Sequence, residues 1–398
     1  MCERAHIAGH SNRPFIDVFL LKAVKKSGRW QFISRSLLDA FFGRQRRFPR
    51  WLLLKKVDEL YSYWRSFRPQ TTRFSLGWLA KSGELADNQS MEKYAVYIGG
   101  VALDEYYRAG HWPGVKEKVL VDALPAVPGG MIANAACVAS RLGTKVKFVA
   151  ELNSGSISQF LLSDLRGYGV DTQMVHFDDS LPDPKTMIFL TDNEHTILIP
   201  RLGWTKIEFS EDDLVVLEGA AYLYSTPIEF SICECCGMRG AELLQYLRSK
   251  GVKIVIDLDV NIMIDESFDV FRNYDIIFLN EVGFASVQGR QTPAETIKKL
   301  MDLGVELIVV TEAENGCTIY SRDGSFHADG FKVEVVDVTG AGDTFCSSFL
   351  HAYFQGKGLR YAAKFANAAA SLCVGKLGAR AGAVTEAEVE SVLSATAG

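Results

Sequence analysis

The chain has 398 residues, 48% of them hydrophobic, 23% charged and 11% aromatic, with a formal net charge of −5. That supplies a large core and excludes a disordered or collagen-like chain. No apolar run approaches the ~18–20 residues that span a bilayer, and Phe15–Leu21 carries Asp17 and lacks the small-residue cleavage site of a secretory signal.

The charge is uneven along the chain. Residues 1–90 hold 17 Lys/Arg against 7 Asp/Glu, and residues 91–398 hold 26 against 41. The basic segment is rich in Trp and Phe, with Arg44, Arg46, Arg47 and Arg50 close together and a rough helical pattern over Leu52–Trp64. Three expectations stay open for this extension of uncertain status. It is an ordered accessory or oligomerisation arm, a basic arm for nucleic acid or anionic lipid, or an upstream stretch translated from a misassigned start. The last is suggested by Met91, which stands just before the first good strand. A charge run alone is weak ground for a nucleic-acid or membrane partner, and neither is expected.

From Tyr94 onward, strand-like and helix-like segments alternate. Tyr94–Ile98 reads as a strand ending in Gly99-Gly100. Residues 130–142 read as a small-residue helix stopped by Gly143. A strand at Lys145–Ala150 and a helix at Ile157–Tyr168 follow. Thr186–Thr191 and Thr196–Ile199 flank a polar turn and predict a hairpin. Further strands are expected at Ala221–Tyr224, Val252–Asp257, Asp275–Leu279, Val305–Thr311, Cys317–Tyr320 and Lys332–Val336. Helices are expected at Met238–Ser249, Pro293–Leu303, Thr344–Phe354, Leu359–Val374 and Glu386–Leu393. This order implies an α/β domain: a mainly parallel central sheet with helices on both faces.

The eight cysteines are scattered, several in apolar runs, as in a protein of the reducing cytoplasm. Cys233-Glu234-Cys235-Cys236 is the one cluster, and without a paired Cys or His motif it reads as incidental thiols ahead of a metal site.

The segment that carries chemistry is Val333–Phe345, VEVVDVTGAGDTF. Its glycines allow a tight turn and close ligand approach. The N–H groups at the start of the following helix, with its dipole, favour a phosphate or developing negative charge. Asp343 falls in that first turn, where a carboxylate can take a proton from an attacking hydroxyl. A dinucleotide fingerprint is excluded because Phe345 holds the third glycine position, and no Gly-Lys-Ser/Thr of a Walker loop is present. A plain helix-capping turn is the bland reading.

With its flanking residues, this segment resembles the signature of the ribokinase, or pfkB, family of carbohydrate kinases. The resemblance runs over about residues 94–395, and further motifs match in order. They are Gly99-Gly100-Val101-Ala102-Leu103-Asp104, Pro128-Gly129-Gly130-Met131-Ile132-Ala133-Asn134, Asn280-Glu281, Thr311 with Gly316, Asn367-Ala368-Ala369-Ala370, and Gly378-Ala379. Ala102, Met131, Ile132, Gly283 and Ala313 depart from the commonest family residues.

The resemblance implies a ribokinase-like three-layer fold over residues 91–398. It also implies a small β lid with pieces near 104–126 and 185–200. Asp343 would be the catalytic base, with Gly340, Ala341 and Gly342 as the anion hole. Asp104, Gly129, Gly130 and Asn134 would hold the sugar. Asn280, Thr311, Gly316, Thr339 and Asn367 would serve the nucleotide, with ATP and Mg²⁺ as cofactors and K⁺ beside Asp337. Dimers pairing through the lid are a further implication. Bland readings stand beside these: Asp104 as a turn residue, Gly129-Gly130 as a helix entry, Asn280 as a strand-end cap, Asn367 as a solvated helix residue. Asp257, Asp259 and Asn261 either cap a loop or face a phosphate-bound magnesium.

The expected activity is ATP-dependent phosphorylation of a primary hydroxyl of a small sugar or sugar acid. The alternatives are a nucleoside or sugar-phosphate kinase of the same fold, with Lys185 or Arg201 as a cationic clamp, and a non-catalytic sugar or nucleotide sensor.

Overall fold

The structure, a computed structural model, describes residues 93–191, 194–200, 206–258 and 268–395, together with a two-residue antiparallel pair, Lys25–Lys26 with Arg29–Trp30. The chain divides into two compact units, Met1–Gln89 and Ser90–Gly398, and the second is described below. The expected helix over Leu52–Trp64, and Arg201, Asp259 and Asn261, lie outside the described residues.

Strands come in chain order as β1 (Ala95–Ile98), β2 (Ala102–Ala109), β3 (Val121–Ala123), β4 (Val127–Gly129), β5 (Val146–Val149), β6 (Lys185–Thr191) and β7 (Glu194–Leu198). They continue as β8 (Tyr222–Ser225), β9 (Lys253–Leu258), β10 (Ile276–Asn280), β11 (Leu307–Thr311), β12 (Gly316–Ser321) and β13 (Gly324–Asp329). The central sheet has eight strands in the order β13-β12-β11-β10-β9-β8-β1-β5. From β5 through β11 every neighbouring pair is parallel, and β12 and β13 add an antiparallel edge.

Burial on both faces explains why these strands read as continuous apolar runs. Successive side chains point to opposite faces, and each face has its own core. Ala95, Tyr97, Val255, Ile276 and Phe278 face one. Val96, Ile98, Ile254, Ile256, Ile277 and Leu279 face the other. The first face is covered by α1 (Met131–Leu142), α2 (Ser156–Gly167), α3 (Ala341–Phe354), α4 (Leu359–Val374) and α5 (Glu386–Ala395). The second is covered by helices at Glu211–Gly219, Ala241–Ser249 and Pro293–Asp302.

Small side chains on α1, Ala133, Ala135, Ala136 and Ala139, are fully buried and let α3 lie close. Ser347 on α3 donates to the Ala135 carbonyl at 2.8 Å, which fixes the two helices' relative height. Phe345 and Phe349 stack along the buried face of α3, as the spacing predicts.

A second sheet, in the order β7-β6-β2-β3 with β4 also pairing β2, supplies the expected lid strands. The hairpin is present as β6 and β7, antiparallel.

Two expectations need correction. Lys332–Val336 is not a strand. Among the described residues no strand pairs with this segment, and Val333, Val335 and Val336 stay exposed. The Val336 and Asp337 N–H groups instead donate to the Val374 carbonyl at the end of α4. The helix expected from Met238 begins at Ala241, because Met238–Arg239 pairs with Cys233–Cys235 as a short ladder. Cys233 and Cys235 are buried there, and all seven cysteines among the described residues are free thiols.

Candidate active site

Two helix N-termini converge beyond the carboxyl ends of the parallel strands. Each is entered through a glycine in left-handed backbone: Gly130 at φ 98° before α1, and Gly340 at φ 80° before α3. Both positions exclude a side chain. A Cβ on Gly130 would stand 2.8 Å from the Gly100 carbonyl oxygen, and one on Gly340 would overlap the Ala379 carbonyl oxygen. Two positive dipole ends therefore face one cleft, a setting that favours anions.

The first turns carry the polar groups. Asn134 on α1 is buried, with its own N–H on the Gly130 carbonyl. Asp343 on α3 is 8% exposed. The Asn134 side-chain Nδ2 donates to Asp343 Oδ2 at 3.0 Å. Gly342, one residue earlier, is exposed, and nothing lies within 4 Å of where its Cβ would be. The Ala341 N–H is engaged by the Val338 carbonyl at 3.2 Å.

The loop before α3 is pinned by Asp337. Its Oδ1 accepts from the Thr339 N–H and its Oδ2 from the Gly378 N–H, each at 2.9 Å. Burial pushes this carboxyl up, but those hydrogen bonds and the nearby His195 outweigh it and leave it below the usual carboxylate range. His195 belongs to β7 of the lid sheet.

Asp104 sits on β2 of the lid sheet, in register with Thr186 and Val127. Its carboxylate lies where a Cβ on Gly129 would be, so a side chain there would displace it. Burial raises the Asp104 carboxyl to about 6, against the Thr186 hydrogen bond and the Arg380 charge. Burial, then the charges of Asp104 and Asp337, push the Tyr106 phenol up.

The other singled-out residues line the neighbouring strand ends or support them. Asn280 ends β10 and caps the next helix, its Oδ1 accepting from the Gly283 N–H at 2.7 Å. A Cβ on Gly283 would be 2.9 Å from the Leu258 carbonyl, so no longer side chain is accommodated there. Thr311 ends β11, paired across to Asn280. Gly316, at φ 102°, is packed under the Ala328 carbonyl, and Ala313 takes a left-handed φ of 46° in the tight turn before it. Asn367 is buried, and its Nδ2 donates to the Ala328 and Asp329 carbonyls at 2.9 and 3.0 Å. Asn367 and Gly316 thus brace the end of β13. Asp257, ending toward the cleft on β9, accepts from the Tyr224 hydroxyl at 2.9 Å.

Residues 96–386 match the pfkB family carbohydrate kinase family. The chain belongs to that family. It is a phosphotransferase whose acceptor is an alcohol group. Ribokinase of Bacillus subtilis is 28% identical over 301 residues, 75% of this chain and 98% of that protein. Fructokinase-2 of Oryza sativa is 27% identical over 288 residues, 68% of this chain and 86% of that protein. In fold, an Arabidopsis thaliana ribokinase complexed with ribose and ATP aligns with a TM-score of 0.66 at 24% identity, over 76% of this chain and 99% of that one. A Xylella fastidiosa fructokinase with bound ATP gives 0.65 at 20%, over 77% and 100%.

In this carbohydrate kinase one side chain of the cleft escaped the motif reading. Arg380, one residue past Gly378-Ala379, is 7% exposed and ion-paired to Asp164 of α2. Its Nε donates to Asn134 Oδ1 at 3.2 Å and its Nη2 to the Gly129 carbonyl at 3.3 Å. The available signal was an arginine held between small residues on both sides, Gly378-Ala379-Arg380-Ala381-Gly382. Asp164 gave none, because it sits in an ordinary amphipathic helix.

Proposed function

We propose that the protein phosphorylates a primary hydroxyl of a small neutral sugar at the expense of ATP, with Asp343 as the proton acceptor. The observation that carries this is the meeting of Asn134 and Asp343 at two converging helix N-termini. Asp343 takes the hydroxyl proton as the oxygen attacks. The exposed Gly342 turn and the helix dipole balance the charge on the transferred phosphoryl. Asp104, Gly129, Gly130 and Asn134 hold the sugar under the lid, which keeps water from competing as acceptor.

Thr311, Thr339, Gly316, Asn280 and Asn367 define the nucleotide side, the last three by bracing it. Among the described residues, no group of three or more His, Cys, Asp or Glu could hold a metal. Magnesium is placed on the nucleotide phosphates, which it commonly prefers to an all-protein cage; there it would neutralise phosphate charge. A K⁺ ion beside Asp337 would use the second lone pair of each carboxylate oxygen, and exchanging KCl for NaCl in the assay tests it.

Two ion pairs support a neutral sugar over a phosphosugar. Lys185 is 3.0 Å from Glu105, and Arg380 is paired to Asp164, so both cations are already matched. Residues 91–398 form the catalytic unit in this reading, working in the cytoplasm, with pairing through the lid sheet as the proposed dimer contact. Measuring ADP release over a panel of ribose, fructose, ketogluconate, nucleosides and phosphosugars tests the assignment. Turnover on a neutral sugar supports it. Binding without turnover anywhere in the panel would favour a sensor.

A further inference from the structure

Arg380 joins parts of the cleft that the family motifs treat separately. Its guanidinium touches the Asn134 side chain, the Gly129 carbonyl and Asp164, and lies 6.0 Å over the Tyr168 ring. Its side chain is nearly buried, so its charge needs a partner, and the partly exposed Asp164 provides one.

The chemistry of the middle residue gives this arrangement direction. An asparagine side chain accepts at Oδ1 and donates at Nδ2, whereas arginine only donates and a carboxylate only accepts. Asn134 lies between one of each. With Arg380 Nε on Oδ1, Nδ2 must face Asp343. The reverse orientation would set an oxygen against the carboxylate and an NH₂ against the guanidinium. Without Arg380, one of those two penalties disappears and the amide is freer to turn.

We propose that Arg380, anchored by Asp164, is a positioning residue that fixes the Asn134 amide so that it donates to Asp343, and ties that carboxylate to the Gly129 loop. This rests on the reading of Asp343 as proton acceptor. Arg380 is not a cationic clamp for substrate, because its charge is matched by Asp164 and its Nε and Nη2 donate to protein groups.

The test uses the full chain and the neutral sugar of the panel with the highest turnover. Arg380→Lys keeps a charge for Asp164 but lacks the planar fork that reaches Asn134. Its kcat should fall about tenfold or more, with the nucleotide KM unchanged, because misplacing a reacting group acts on the chemical step. The acid limb of the kcat–pH profile should move to higher pH, since a hydrogen bond to the ionised carboxylate has been loosened. In an Asn134→Ala background, the same Arg380→Lys change should alter kcat less than about twofold, because the route through the amide is already gone. If Arg380→Lys does not fold, Asp164→Asn releases the guanidinium from its other side and should give the same directions.

Parent-like kcat and acid limb in whichever of these variants folds would overturn the proposal, as would an equal loss of kcat in the Asn134→Ala background. Asp343→Asn separates the two claims. If that variant is inactive while Arg380→Lys is silent, only the positioning role falls. If it turns over normally, the base assignment falls as well.

Discussion

Asn134 Nδ2 and Asp343 Oδ2 are 3.0 Å apart although 209 residues separate them in sequence. The contact joins the first turns of α1 and α3, two helices held together by small residues and by the Ser347 bond to the Ala135 carbonyl. A buried carboxylate in the first turn of a helix has a hydrogen-bond donor aimed at it, so its position is set before substrate arrives. That is the condition for general-base work.

Asp343→Asn preserves shape and keeps an acceptor for Asn134, so folding and sugar KM should change little. Its kcat should fall at least about a hundredfold, the low end for removing a positioned base. ADP release under saturating sugar and ATP measures this. Near-normal turnover would sink the assignment of Asp343.

Asp104 gives a prediction with a pH window. Burial raises its carboxyl to about 6 from an ordinary value of 3.8. As pH rises from about 4 to about 6, the unfolded chain releases this proton before the folded one does. Stability from this group is therefore full below about 4 and is lost as pH climbs through about 6. Asp104→Asn should raise the Tm at pH 7.5 and leave it nearly unchanged at pH 3.5. In the proposed function the same carboxylate holds the sugar, so wild-type sugar KM should rise as pH falls below about 6 as the charged acceptor is lost, and the Asn variant's KM should be high and flat. A parent Tm for the variant at pH 7.5 would refute the burial cost.

Much of this was legible in the sequence because burial and turn chemistry leave local marks. The parallel strands announced themselves as apolar runs, since both faces are covered. Gly340 and Asp343 were legible because a helix entry needing φ of 80° selects glycine. The valines of 333–336 misled for a reason that lies outside the segment: alternation marks a strand only where a neighbouring strand pairs with it, and here the Val336 and Asp337 N–H groups go to the Val374 carbonyl instead. Asn367 gave no sign that its amide would cap two carbonyls of β13, a contact across 38 and 39 residues. Arg380 and Asp164 were invisible as a pair, because nothing in a linear sequence couples a loop arginine to a helix aspartate.

A Cβ would overlap a neighbour at both Gly129 and Gly340, yet changing them should have different effects. A Cβ on Gly129 would overlap the Asp104 carboxylate, a side chain that can turn away. Gly129→Ala should therefore raise sugar KM by about tenfold or more while stability and nucleotide KM hold. A Cβ on Gly340 meets backbone, the Ala379 carbonyl, at a left-handed φ. Gly340→Ala should cost roughly 1–3 kcal/mol of stability and depress kcat, because the loop bearing Gly342 must move. Thermal unfolding with separate sugar and ATP titrations distinguishes them. Identical effects of the two substitutions would show that the sugar and phosphoryl sides are not separately built.

The last prediction concerns the charge break at residue 90. The catalytic sheet begins at Ala95, whose strand pairs in register with Tyr222 and Val146. Just before it, the Tyr94 hydroxyl donates to the Val216 carbonyl at 2.6 Å and the Tyr94 carbonyl accepts from Ala221. None of these contacts involves a residue before Tyr94. Cutting ahead of Met91 leaves every site residue named above in place, and it removes the segment in which Lys and Arg outnumber Asp and Glu by 17 to 7. A chain starting at Met91 should fold with a parent-like Tm and retain kcat and both KM values within about twofold, the scale expected if the two segments act independently. Loss of folding or of turnover would make the first ninety residues part of the working enzyme and would discard the view of them as an upstream extension. Retained activity with a changed oligomeric state, read by sedimentation, would assign them to assembly.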